Sequence, residues 1–229
     1  MSSMRTMRRT TAAALAALAV SAAVTAAVPA QAMVTSTPSA VPAATPTPIK
    51  GATYKGVGDD VVAVQRTRLP GIITFTHTGS SNFIVHGIDL KGDDSTYLVN
   101  EIGDYRGTKA FNVEYFDTDG IAALEITADG AWTAVVRPLT SARRWKGGTL
   151  SGRGADVVML TPAAPATGVR TLALTHVGSS NFIVHSLMSG RSSAYLVNAI
   201  GRYKGRVRLP ARTQYLVIEA DGAWSLMRR

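Results

Sequence analysis

An internal repeat constrains this chain more than any other feature. Residues 175–185 read THVGSSNFIVH and residues 76–86 read THTGSSNFIVH, so ten of eleven positions are identical 99 residues apart. The copies stay in step beyond that segment. Tyr97-Leu98-Val99-Asn100 returns as Tyr195-Leu196-Val197-Asn198, and Ile102-Gly103-x-Tyr105-x-Gly107 as Ile200-Gly201-x-Tyr203-x-Gly205. Ala128-Asp129-Gly130-Ala131-Trp132 returns as residues 220–224, and Gly58-x-Asp60-Val61-Val62 as Gly154-x-Asp156-Val157-Val158. In chain order the offsets run 96, 99, 98 and 92, so short insertions fall between the motifs, the longest near Phe116 to Ile121. The fold must therefore be one that can be built twice, and two copies are too few for a solenoid. We expect two homologous modules, residues 51–140 and 145–229.

Each module reads as all-β. Short apolar or alternating runs bounded by turn residues recur in the first copy at Asp60–Gln65, Gly71–Thr76, Phe83–Ile88, Thr96–Ile102, Thr108–Val113, Ala122–Ala128 and Ala131–Arg137. Such spacing suits a small antiparallel β-sandwich, jelly-roll-like, and no stretch of the mature chain keeps a helical period. Asp129-Gly130 and Asp221-Gly222 predict two-residue type I′ hairpins. The Gly79-Ser80-Ser81 turn predicts another hairpin, with Phe75 opposite Val85 or Ile84. The chain has no Cys. A module of this size without disulfides has a marginal core, so the two are expected to pack on each other.

The N-terminus carries an address. Arg5, Arg8 and Arg9 precede an Ala-rich apolar run that ends at Ala30-Gln31-Ala32, a small-x-small cleavage box, so residues 1–32 are expected to be a secretory signal peptide. Residues 33–50, dense in Pro, Thr, Ala and Ser, predict an extended tether. The mature protein is then extracellular or cell-wall associated and not an integral membrane protein.

The combination GSSNF, LVNxIGxYxG and ADGxW resembles tandem small β-sandwich repeats of secreted bacterial proteins that have no assigned activity. More loosely, the modules are similar to β-sandwich accessory domains of secreted peptidases, some of which bind calcium or matrix polymers. The resemblance implies a fold and an extracellular setting, and no chemistry.

The residues themselves argue against a shared catalytic centre. His77, His86, His176 and His185 recur in pairs, but in either hairpin register the two rings of a module diverge or stand about 13 Å apart, too far for one ion. The only acids common to both copies are Asp60/Asp156 and Asp129/Asp221, whereas Glu101, Asp104 and Glu125 become Ala199, Arg202 and Val217. No carboxylate pair survives for acid–base work, and no catalytic residue is assigned. Calcium is the one cofactor the loops could take, through Asp89, Asp93, Asp94, Asp117 and Asp119 of the first copy. Trp132 and Trp224, with Tyr105 and Tyr203, are either core anchors or a sugar-stacking platform.

Charge separates the copies. Lys50 to Lys146 holds eleven bases and twelve acids, while Arg153 to Arg229 holds ten bases and three acids, so the basic balance belongs to the second copy. Arg202, Lys204, Arg206 and Arg208 alternate with Tyr203, Gly205, Val207 and Leu209, which in a strand lines four cations along one face. That row is the candidate binding site, suited to an anionic cell-wall polymer or an acidic protein surface. Nucleic acid is not expected, because no nucleic-acid-binding motif accompanies the bases. The expected function is non-catalytic binding at or near the cell surface. The alternatives are a hydrolase accessory or weak hydrolase with its site between the modules, and a purely structural envelope protein.

Overall fold

A computed structural model describes residues 46–114, 119–165, 167 and 170–228. The expected signal peptide, residues 33–45 of the tether and Asp117 lie outside them. The described chain is all-β and antiparallel in all but one strand pairing. Its strands are β1 (Ala52–Val57), β2 (Asp60–Thr67), β3 (Gly71–Thr78), β4 (Asn82–Ile88), β5 (Asp94–Ile102), β6 (Tyr105–Phe111), β7 (Ile121–Ala128) and β8 (Ala131–Pro138), then β9 (Arg143–Trp145), β10 (Thr149–Arg153), β11 (Asp156–Leu160), β12 (Arg170–Val177), β13 (Asn181–Met188), β14 (Arg191–Ile200), β15 (Tyr203–Leu209), β16 (Tyr215–Ala220) and β17 (Ala223–Arg228). Among the described residues no helix is long and apolar enough to cross a membrane.

The strands form four sheets, in the orders β1-β8-β3-β6, β2-β7-β4-β5, β10-β17-β12-β15 and β14-β13-β16-β11-β9. The first pair has the strand order of an eight-stranded jelly roll, and the second repeats it with β9 added in parallel to β11. Strand alternation builds the cores. In β3, Ile73, Phe75 and His77 face inward against Phe83 and Val85 of β4 and Leu124 and Ile126 of β7, all buried. The second copy buries Leu172, Leu174, Phe182, Val184, Leu216 and Ile218 at matching places. Each such side chain stabilises by about 1.5–3 kcal/mol relative to exposure.

Two expectations fail, for one reason. A jelly roll passes the chain between layers at most of its turns, so neighbours in sequence are seldom neighbours in a sheet. β7 and β8 lie in different sheets, so Asp129-Gly130 is a corner and not a hairpin, and Gly130 is not among the positive-φ glycines. Glycine is required there because a Cβ would run into the carbonyl oxygen of Thr78. β3 and β4 also lie in different sheets, so the register argument for His77 and His86 does not apply. The sharp hairpin is elsewhere: Ser189 (φ 54°) and Gly190 (φ 75°) join β13 to β14, and two successive positive φ values are what a type I′ turn needs.

β1 was not foreseen, and neither was the end of the tether. Pro48 accepts a hydrogen bond from Gln65 Nε2 (2.9 Å) and Lys50 N donates to Gln65 Oε1 (2.8 Å), fixing this stretch beside β2 and burying Ile49. At the repeat offset of 96, Ile49 matches the buried Trp145 of β9.

A third core cluster joins the copies. Ile72, Val113, Leu139 and Ala142 pack on Val157, Leu187, Tyr215 and Val217. The faces in contact are the outer side of β3 and β6 and the outer side of β11, β16 and β13. Backbone bonds seal the junction, Thr108 N to the Ala155 carbonyl (2.9 Å) and Ser192 N to the Val113 carbonyl (2.7 Å), and Lys109 pairs with Glu219.

Candidate functional site

β15 is an edge strand, and its pairing with β12 sets Lys204 opposite Thr175, Arg206 opposite Ala173 and Arg208 opposite Thr171. Arg202, Lys204, Arg206 and Arg208 are all exposed, while Leu209 on the other face is buried. The next rows inward hold Ser225 and Met227 of β17 and Thr149 and Ser151 of β10, so the cations stand at the rim of a face of mostly small side chains. Alternate residues of a strand are about 6.6–6.8 Å apart. Among the described residues no acid pairs with any of the four.

The repeated motifs converge on something different. His77 donates from Nδ1 to the Gly103 carbonyl (2.8 Å), stacks on Phe83 (4.5 Å between ring centres) and faces Asp129 Oδ1 through Nε2 (3.3 Å). Asp129 Oδ2 accepts from Ser80 N (2.8 Å), Ser81 N (2.9 Å) and Ser80 Oγ (3.1 Å). The second copy repeats the arrangement: His176 Nδ1 to the Gly201 carbonyl (2.8 Å), Nε2 to Asp221 Oδ1 (3.2 Å), and Asp221 Oδ2 to Ser179 N (2.8 Å) and Ser180 N (3.0 Å). THxGSSNF, IGxYxG and ADGxW thus form one knot that ties three corners together. Aspartate, histidine and serine meet in it, but the hydroxyl bonds the carboxylate and not the ring, so no base is placed to activate it.

Backbone N–H donation from Ser80 holds the Asp129 carboxyl below its ordinary value, outweighing the cost of desolvation. Partial desolvation raises that of Asp221, and donation from Ser179 and Ser180 overcomes it, so this carboxyl too is lowered. Trp132 and Trp224 are buried, their Nε1 donating to the Gly58 and Gly154 carbonyls (2.9 Å each), so they are core anchors. Tyr105 and Tyr203 lean on Phe83 and Phe182 (5.8 and 5.6 Å).

A cleft of about 660 Å³ opens at the junction of the copies, lined by Glu101, Tyr105, Lys109, His185 and Glu219, and a second of about 730 Å³ adjoins it, lined by Arg106, Arg137, Arg143 and Arg153. Burial pushes His185 down, helped by the Lys109 charge. Shielding in the cleft raises Glu101, with Lys109 opposing. Glu219 is held by Lys109 and Asp156 by Arg143 Nη1 (3.2 Å). Sequence reading placed no residues in this cleft. The signal was lost alternation: Val157 and Val158, and all of Tyr215 to Ile218, are buried, so these strands are covered on both faces.

The acidic loop of the first copy is internally engaged. Asp89 Oδ1 accepts from Lys91 N (2.7 Å), Gly92 N (2.9 Å) and Asp93 N (3.0 Å), and Lys91 Nζ sits 3.0 Å from Asp119 Oδ1. Lys91 thus occupies one Asp119 oxygen and backbone N–H groups occupy one Asp89 oxygen, and we expect EDTA or added calcium to leave the melting temperature unchanged. No protein-family model matches the chain, and no curated protein matches it.

Proposed function

We propose that this is a secreted, non-catalytic binding protein that docks an anionic partner at or near the cell surface through the β15 face. The observation that carries the reading is the exposed row of Arg202, just before edge strand β15, and Lys204, Arg206 and Arg208 within it, none of which pairs with an acid among the described residues. Four cations at strand spacing give an attraction that is long-ranged at low salt and screened within about 8 Å at physiological ionic strength. The junction cleft would suit a hydrolase, but Glu219 and Asp221 already have partners there, which favours binding over turnover.

The test is retention on immobilised poly-L-glutamate along a salt gradient. The wild-type protein is expected to bind at low salt and elute sharply, and the double variant Arg206→Glu, Arg208→Glu to flow through. Equal retention of both proteins would refute the site.

A further inference from the structure

We infer that the partner of the β15 face is a second copy of this chain, met through the outer side of the β2-β7-β4-β5 sheet, so that molecules associate head to tail. This rests on the reading of β15 as a docking face. The two copies within one chain already show the geometry. Their contact is heterologous: the outer side of β3 and β6 in the first meets the outer side of β11, β16 and β13 in the second. Each copy carries both surfaces, so each molecule has one of each left over. The second copy's β12 and β15 are open, and so are the first copy's β2, β7 and β4. A heterologous contact of this kind can propagate from molecule to molecule.

The open faces differ from the closed ones in a coordinated way, which the paired registers make exact residue by residue. In the closed contact Thr108 N bonds the Ala155 carbonyl; the matching open positions are Arg206 and Asp59. Ala110 and Val217 pack in the joining cluster; the matching positions are Arg208 and Glu125. Ser192 bonds Val113 in the closed contact, and its counterpart is Asp94. At these positions the β15 side gains the bases Arg206 and Arg208 and the β2-β7-β4-β5 side gains the acids Asp59, Asp94 and Glu125, while Ile72 and Tyr215 of the joining cluster become Thr171 and Ala123 with no change of charge. Asp59, Asp94 and Glu125 are exposed, and Val61, matching the fully buried Val157, is 65% exposed. The Lys109–Glu219 pair becomes Val207 and Thr127, so one ion pair is not reproduced. The open contact is therefore an ionic version of the closed, apolar one: weaker, reversible and sensitive to salt.

Sedimentation velocity of the purified mature protein across a concentration series tests this. At about 0.05 M salt the weight-average sedimentation coefficient should rise with concentration, and at about 0.5 M it should fall to the monomer value. Glu125→Arg alone and Arg208→Glu alone should each weaken association at least tenfold. An equimolar mixture of the two variants should restore it, because each offers the charge the other lacks. A monomer at every low-salt concentration, or association indifferent to Glu125→Arg, overturns the inference. If poly-L-glutamate retention still depends on Arg206 and Arg208 in that case, the docking face stands and only the partner is wrong. If retention fails as well, both readings fall.

Discussion

Trp224→Ala should lower the unfolding free energy by about 3–5 kcal/mol, and Trp132→Ala by a similar amount. Both indoles are almost fully buried, 3% and 2% exposed. Truncation removes the largest side chain of its strand and leaves a cavity that paired strands cannot collapse to fill. It also orphans an acceptor, the Gly154 or Gly58 carbonyl that Nε1 supplies. The ring of Trp224 lies against Gly152 so closely that a Cβ there would collide with it, as one at Gly56 would with Trp132. Urea denaturation followed by fluorescence and circular dichroism measures the loss. A cost below about 1 kcal/mol would mean that the ring is not a core anchor, and would reopen the sugar-platform reading.

Asp129→Asn and Asp221→Asn should destabilise the fold at neutral pH, with an effect that fades in acid. Both carboxyls are lowered from the ordinary value of 3.8 in the folded chain. A depressed folded value means that the unfolded state binds the proton first. The stabilisation is complete above the unfolded value and is lost as pH falls through the folded one. Urea midpoints of wild type and variants should therefore differ most above the ordinary value of 3.8 and converge as pH falls through the lowered folded value. A gap constant across that range would show that the carboxylate's charge is not what the Ser80–Ser81 and Ser179–Ser180 turns require. The double variant should lose more than either single one, since the two knots lie in separate cores.

The β class was readable because strand alternation and turn chemistry are local. Seven of the eight strands of the first copy were placed from period-2 patterning; β1, ATYKGV, was missed because its inward residues, Ala52, Tyr54 and Gly56, are not a recognisable apolar row. Strand pairing was not readable. Asp-Gly between two short strands signals a tight reversal, and a hairpin and an interlayer corner use the same signal. Only the partners chosen by β7 and β8 distinguish them.

The candidate site divides the same way. Arg202, Lys204, Arg206 and Arg208 were legible as a row because a strand's two faces follow from its sequence alone. Glu101, Lys109, His185 and Glu219 were not legible as a cleft, because they come from β5, β6, β13 and β16 and meet only when the copies dock. The histidines were read as locally bonded, but His77 and His176 face the aspartate of a distant corner, 52 residues on in the first copy.

By itself, then, the sequence determined that the chain is built twice, that each copy is made of strands, and that four of the second copy's bases form a row with strand alternation. Those properties depend on periodicity and on neighbours a few residues apart. The tertiary structure alone decided which strands pair, that three separate motifs close into a single knot, and that one copy's outer face is buried under the other while its counterpart stays open. Those properties depend on side chains that approach from far along the chain, and close packing, not local preference, selects among the arrangements that local preference allows.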